Sequence, residues 1–348
     1  MGNIKLPKNS VDFFKNNQNK IFETGDLAEG PWNNKLAEEI KSICSVKNAI
    51  CVNSNGSGLV ALLLIYKEYY GRINVMIQSN TMWGVKTITK TAGYNLVNVI
   101  DCQLETLMPS FNDLKKAVEN YSGNLEQLVV LLSDIGGIIN PDIEKISKFC
   151  RDKKIILLED SAHSFGSTLN KKFAGTFGEA GVYSYYSTKA IFAGEGGVVV
   201  TNDNRIGKLM KHFIAYDRFE RKMEIGCNIR LPEIQALMIY SVVKEYKEII
   251  KNKTKIANKY SEACNSFNIK YISQNENFNI GNYYKFIIIS PEKNISEALP
   301  QVRTTTSKVY DYCLGNSKEI PSKHLCLPIW YDLEENISDK VVQELKRS

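Results

Sequence analysis

The chain has 348 residues, 43% of them hydrophobic and 24% charged, which are the proportions of a globular protein and exclude a disordered, collagenous or coiled-coil chain. At about 150 residues per domain, this length accommodates two domains or one large α/β unit with an appendage. The net charge of +6 arises from 44 basic and 38 acidic side chains scattered along the sequence, so no basic stripe calls for a nucleic-acid partner.

The residues before Phe14 include Lys5 and Lys8 and lack an apolar signal core, so no export signal is expected. The longest unbroken apolar run, Leu59–Tyr66, is far short of the roughly 20 residues needed to span a bilayer. No membrane segment is expected, and the protein is placed in the cytoplasm. From about residue 36, helical patterns alternate with short apolar runs, the signature of a mostly parallel sheet covered on both faces. Expected strands are Ala49–Val52, Val75–Gln78, Leu96–Val99, Leu128–Leu132, Ile155–Glu159, Gly181–Tyr185 and Val198–Thr201. Expected helices are Asn34–Ile43, Ser57–Tyr70, Phe111–Glu119, Ile143–Arg151 and Asn204–Phe213. A Lys-rich stretch, Glu233–Phe267, reads as one long amphipathic helix, Asn275–Asn282 as a loop, and Tyr284–Ser290 as a strand before a last helix ending near Arg347. These elements divide the chain into an N-terminal arm (1–35), a large domain (36–244) and a small α+β C-terminal domain (245–348).

Open parallel sheets bind ligands beyond the carboxyl ends of their strands, and the reactive side chains gather there. The strand ending at Glu159 delivers Asp160 and His163. The strand Gly181–Tyr185 carries Ser184 and leads to Lys189, followed by the small-residue run Ala193-Gly194-Glu195-Gly196-Gly197, which permits close backbone approach. After Val52, the loop Asn53-Ser54-Asn55-Gly56-Ser57-Gly58 opens a helix. Its free N–H groups and helix dipole suit a phosphate, although Ser57 is equally readable as a simple N-cap. The loop lacks a Gly-Lys-Ser/Thr sequence, and Gly194-x-Gly196 precedes a strand instead of opening a helix, so neither a nucleotide P-loop nor a dinucleotide fingerprint is present. Eight cysteines without a C-x-x-C pair and three histidines read as reduced thiols and not as a metal centre. A phosphate cup, a carboxylate, an imidazole and a lysine at neighbouring strand ends match the needs of pyridoxal phosphate: a Schiff-base amine, an acid for the pyridine nitrogen and a helix N-terminus for the phosphate.

Taken in order, further motifs make the resemblance specific. They are Thr24-Gly25, Gly30-Pro31, Ile135-Gly136-Gly137, Pro141-Asp142-Ile143, Glu159-Asp160-Ser161-Ala162-His163, Gly178-Glu179-Ala180-Gly181, Ser184-Tyr185-Tyr186-Ser187-Thr188-Lys189, Gly226-Cys227-Asn228-Ile229-Arg230 and Leu325-Cys326-Leu327-Pro328. Over nearly its whole length the chain resembles the DegT/DnrJ/StrS sugar aminotransferases, which have the three-layer, fold-type-I architecture of aspartate aminotransferase. The resemblance implies a pyridoxal 5'-phosphate enzyme that passes through the pyridoxamine form, takes an amino group from L-glutamate and transfers it to a nucleotide-linked keto-deoxysugar for surface polysaccharide or glycoconjugate synthesis. Lys189 would hold the cofactor and move protons, Asp160 would face the pyridine nitrogen, and His163 would lie near the ring hydroxyl. Gly56, Ser57 and Ser184 match phosphate-binding positions. Asn228 matches a residue that reaches the neighbouring subunit's phosphate, implying a homodimer with shared sites.

The resemblance also shows departures. Met82 stands where relatives place a ring-stacking aromatic residue, and either Trp83, one position on, takes over that role, which is the favoured expectation, or the Met82 thioether covers the ring face. Ser133-Asp134 replaces a histidine near the sugar pocket. Gly58 replaces a small alanine, with little effect expected. Two other readings compete: a pyridoxamine-dependent sugar dehydratase, whose members carry histidine in place of Lys189, and a cofactor-binding regulator without turnover.

Overall fold

The computed structural model describes residues 5–216, 224–276 and 278–348. Its principal helices are α1 (Lys8–Thr24), α2 (Pro31–Cys44), α3 (Asn55–Tyr70), α4 (Trp83–Thr91), α5 (Phe111–Glu119), α6 (Ile143–Asp152), α7 (Asn204–Ala215), α8 (Glu233–Val243) and α9 (Tyr246–Ser266). The strands are β1 (Asn48–Val52), β2 (Asn74–Gln78), β3 (Asn95–Ile100), β4 (Leu128–Ser133), β5 (Ile156–Asp160), β6 (Thr168–Leu169), β7 (Lys172–Phe173), β8 (Ala180–Ser184), β9 (Gly197–Thr201), β10 (Asn275–Glu276), β11 (Asn279–Ile280), β12 (Phe286–Ile289) and β13 (His324–Leu327).

Seven strands form the central sheet in the order β1-β9-β8-β5-β4-β2-β3. Only β9 runs against the others, pairing antiparallel with both β1 and β8. Every expected strand of this sheet is present, and the continuous apolar runs are explained by burial on both faces. In β4, Val129 and Leu131 face a core shared with α3, α4 and α7, whereas Leu128, Val130 and Leu132 face α5 and α6. Beneath the β1 end, α2 and α8 cover the same second face. Helix α3 lies between the sheet and its neighbours, and Leu59, Leu62, Leu63 and Ile65 are fully buried; each such side chain contributes about 1.5–3 kcal/mol relative to exposure.

Several expectations are corrected. The stretch Glu233–Phe267 is not one helix but two, interrupted at Lys244 and Glu245. Its halves have different partners: α8 packs on α1 and α2, and α9 packs on the terminal helix Glu335–Lys346. Near the N-terminus, α1 docks on α8, and the rings of Phe13, Trp32 and Tyr240 meet at 5.6–5.8 Å. The Asn-rich segment expected as a loop carries β10 and β11, and β11 pairs with β6. Strand β13 pairs with β12 in a separate two-stranded sheet. That sheet packs against α9 and the terminal helix around Tyr260, Phe286, Ile288, Leu327 and Val341.

Candidate active site

The carboxyl ends of β4, β5 and β8 converge with the N-terminus of α3. Parallel pairing sets Ser133 opposite Asp160, and Asp160 opposite Val182. This register brings three donors and a cation to one carboxylate. Asn55 Nδ2 donates to Asp160 Oδ1 at 3.0 Å, the Ala162 N–H donates to the same oxygen at 3.2 Å, and Ser133 Oγ donates to Oδ2 at 3.1 Å. Asp160 is only 7% exposed. Burial raises its pKa, while the Lys189 ammonium and these donors act in the opposite direction. Lys189 is the reciprocal case: burial lowers its pKa to about 8, with Asp160 opposing the shift and Lys285 adding to it. An amine near that value is available as a base or nucleophile close to neutral pH, as a freely solvated lysine is not.

His163 lies on the turn after β5. Its ring is 4.4 Å from that of Tyr284 and is stacked at 6.1 Å on Tyr310. Burial, followed by Lys189 and Lys285, holds its pKa well below the ordinary value, so the imidazole is neutral. Its Nδ1 is buried with no hydrogen-bond partner among the described residues. The turn is anchored by Asp134, which accepts from Ser161 Oγ at 3.0 Å and also from Ser164 Oγ. Ser133 and Asp134 thus build the site from below. Glu159, next to Asp160, has a structural role: it accepts backbone N–H bonds from Gly175, Phe177 and Gly178.

At the N-terminus of α3, the cap is Ser54, not Ser57. Ser54 Oγ accepts from the Ser57 N–H at 3.1 Å and lies 2.8 Å from Ser57 Oγ, leaving Gly56 and Ser57 in the half-buried first turn. The small-residue run after Lys189 serves this loop. A Cβ on Gly197 would come within 2.7 Å of the Asn55 nitrogen, so the glycine lets β9 pass directly beneath the loop. Ser184, at the end of β8, is buried, and its Oγ accepts from the Tyr186 N–H at 3.3 Å. Gly58 also has a packing requirement the sequence did not suggest. A Cβ there would meet Val182 Cγ1 at 2.8 Å and Val199 Cγ2 at 2.9 Å, so replacing alanine with glycine is not neutral.

Two sequence-predicted residues lie apart from this cluster. Trp83 is 53% exposed, and its ring contacts among the described residues are Tyr312, edge-on at 5.9 Å, and the Lys86 ammonium at 4.7 Å. It forms the outer end of a series of rings that runs through Tyr312 and Tyr310 to His163. Asn228 is exposed, one residue before Ile229, whose carbonyl accepts from the Asn53 N–H at 2.8 Å. Sequence reasoning missed Asn55, although it sits inside the motif already singled out, and Tyr284 and Tyr310, which reach the site from the C-terminal third. Among the described residues, no cluster of three or more His, Cys, Asp or Glu side chains forms a metal site, and no helix is long and apolar enough to cross a membrane.

With this geometry in place, comparison with known proteins is decisive: the model of the DegT/DnrJ/EryC1/StrS aminotransferase family matches residues 9–346. The chain belongs to that family. Within the family it is similar to the UDP-4-amino-4,6-dideoxy-N-acetyl-beta-L-altrosamine transaminase of Helicobacter pylori, with 27% identity over 258 residues, covering 69% of this chain and 64% of the relative. It is also similar to the GDP-perosamine synthase of Escherichia coli, with 29% identity over 194 residues, covering 52% and 51% of the two chains. The matched region therefore spans less than two thirds of either relative's length. The crystal structure of an H. pylori aminotransferase involved in pseudoaminic acid biosynthesis superposes with a TM-score of 0.83 at 21% identity, over 99% of this chain and 97% of that one. The fold of this DegT/DnrJ/EryC1/StrS member is thus shared along the entire chain.

Proposed function

We propose that this family member is a pyridoxal-phosphate-dependent aminotransferase that takes the amino group of L-glutamate and passes it to the keto group of a nucleotide-linked deoxysugar. The observation that carries the reading is the convergence of a buried amine, Lys189, its pKa lowered to about 8 by burial, and the buried strand-end carboxylate of Asp160, each within the other's electrostatic influence.

The residues present fit the cofactor. The buried Nδ1 of His163 lacks a partner among the described residues, as expected of a group that meets a polar atom of a bound ring, and unsatisfied buried nitrogens are otherwise rare. When bound, pyridoxal phosphate supplies an electron sink for the substrate carbon. Asp160, oriented by Asn55, Ser133 and the Ala162 N–H, would face the pyridine nitrogen and favour its protonated form. Lys189 would hold the cofactor through Nζ and, once released, carry a proton to and from the substrate carbon. Gly56, Ser57 and Ser184 would receive the phosphate, aided by the positive end of α3. Trp83 would cover the cofactor ring only after moving inward from its place beside Tyr312.

The same reading makes the chain a cytoplasmic homodimer, with Asn228 of one protomer reaching the phosphate held by its partner and the product entering surface polysaccharide or glycoconjugate synthesis. It assigns residues 36–244 to the cofactor-binding domain and residues 245–348 to the small domain. Lys189 favours the aminotransferase over the dehydratase reading, because the dehydratase chemistry dispenses with a Schiff-base lysine. The test is the visible spectrum of the reconstituted protein before and after L-glutamate. A lysine-dependent band that glutamate bleaches, and that Lys189→Ala lacks, supports amino transfer. A band that no amino donor alters would refute it in favour of a regulator.

A further inference from the structure

Beside Lys189 opens a cavity of about 520 Å³, bounded by α9, the segment after β11, residues 304–307 and residues 327–331. Its walls are largely apolar, with Ile329 and Trp330 among them, yet two further lysines line it: Lys253 from α9 and Lys285 immediately before β12. Lys253 is 3% exposed. Among the described residues, neither ammonium forms an ion pair, and neither donates a hydrogen bond to a protein acceptor. Lys189 and Lys285 lie 5.3 Å and 5.2 Å from the centre of the same ring, that of Tyr284, so the cavity is continuous with the reaction centre.

A buried ammonium without a counter-ion is costly, and proteins seldom retain one unless something else neutralises it. Burial lowers the pKa of Lys253 to about 7, with Lys285 adding to the shift. Two unpaired cations converge on one apolar chamber that opens at the catalytic lysine, a pattern that packing alone does not call for. Thr304 and its neighbours are meanwhile held in place by Glu344, which accepts the Arg303 and Thr304 N–H groups and the Thr304 hydroxyl. That carboxylate is therefore engaged in shaping the wall.

We propose that this cavity is an oxyanion subsite in which Lys253 and Lys285 bind the acidic end of a substrate whose reacting atom lies at Lys189. The inference rests on the aminotransferase reading and extends it. The anion is a carboxylate of the amino donor or a phosphate of the nucleotide-linked acceptor, and both ask for the same pair of ammonium groups.

The holoenzyme distinguishes them in two arms, using Lys253→Met, Lys285→Gln and Lys285→Arg. In the first arm, L-glutamate is titrated against the visible band in single turnovers, giving an apparent dissociation constant. In the second, UDP, GDP and dTDP are titrated calorimetrically. Each charge-removing substitution is expected to weaken one arm by about tenfold or more, the effect of losing one charge-assisted hydrogen bond. The other arm should stay within about twofold, and Lys285→Arg should retain most of the affinity. A loss confined to glutamate assigns the carboxylate, and a loss confined to a nucleoside diphosphate assigns the phosphate. Thermal melting of Lys253→Met should be no lower than that of the wild type, because an unpaired buried charge is removed. Should Lys253→Met fail to fold, Lys285→Gln decides alone. Dissociation constants within about twofold of wild type in both arms for every folded variant overturn the subsite. A wild-type band that never responds to glutamate would instead defeat the aminotransferase reading.

Discussion

Gly58→Ala is a small change with a large expected consequence. The added methyl would lie 2.8 Å from Val182 Cγ1, 2.9 Å from Val199 Cγ2 and 3.3 Å from Val52 Cγ2. All three valines are fully buried on rigid strands, so no flexible side-chain end can yield. Overpacking of this kind costs about 1–3 kcal/mol, and the alanine's better helix propensity returns less than about 1 kcal/mol. For a chain of this length unfolding as one unit, the net loss lowers the melting temperature by roughly 1–4 °C. The strain also bears on the site, because relief requires α3 to lift from the sheet, taking Asn55 away from Asp160. Cofactor affinity should therefore fall together with stability. Gly56→Ala is the control: its Cβ would make only ordinary contacts, with Ile88 Cδ1 at 3.5 Å and Ser54 Oγ at 3.9 Å, and should leave the melting temperature unchanged or slightly higher. Calorimetric melting of the apo proteins and spectrophotometric cofactor titration provide both readouts. A Gly58→Ala protein that melts and binds like wild type would refute the packing argument.

Other consequences are equally open to measurement. Asp160→Asn should reduce amino transfer by at least about 100-fold while preserving the fold, since Asn55, Ser133 and the Ala162 N–H lose a charged acceptor; turnover within about threefold of wild type would make the carboxylate merely structural. Protomers carrying Lys189→Ala and Asn228→Ala should complement each other in verified mixed dimers, and the absence of any recovered activity would remove Asn228 from a shared site. For Lys253, the folded pKa of about 7 lies below the ordinary lysine value of 10.5. Between those two values the unfolded chain binds more protons, so the stability contributed at this position rises with pH. Lys253→Met should accordingly be stabilised relative to wild type most strongly below pH 7, with the gap closing towards pH 10.5; denaturant titrations that give a pH-independent difference would contradict the assignment.

The central sheet was legible because its strands are unbroken apolar runs buried on both faces. Helix α4 was not: Trp83-Gly84-Val85-Lys86-Thr87-Ile88 mixes a glycine with β-branched residues, and its helicity depends on packing against α3 and β3. Helix α1 was hidden by its Asn- and Lys-rich composition, and the surface that orders it belongs to α8, more than 200 residues later. In the site, Asp160, His163 and Lys189 could be read because each follows a strand that the pattern identifies. Asn55 gave no separate signal, since its partner is determined by how α3 meets β5. Tyr284, Tyr310, Lys253 and Lys285 are brought in by long-range packing of the C-terminal third, which no local rule encodes. The capping role of Ser54 and the crowding at Gly58 depend likewise on contacts across the sheet.

The pairing of Ser133 with Asp160 comes from the β4–β5 ladder, whereas the walls of the lysine-lined cavity beyond Lys189 and its neighbours come from Lys253 of α9, from Tyr284 and Lys285, and from residues 304–307 and 327–331. The carboxylate and most of the chamber beside it are therefore carried on separate parts of the chain, with Lys189 common to both. Substitutions at residues 304–307 and 329–331 can redraw the chamber without touching the hydrogen bonds on Asp160 or the rings stacked on His163, so an engineered library confined to those positions should change which molecule is accepted before it changes the reaction performed.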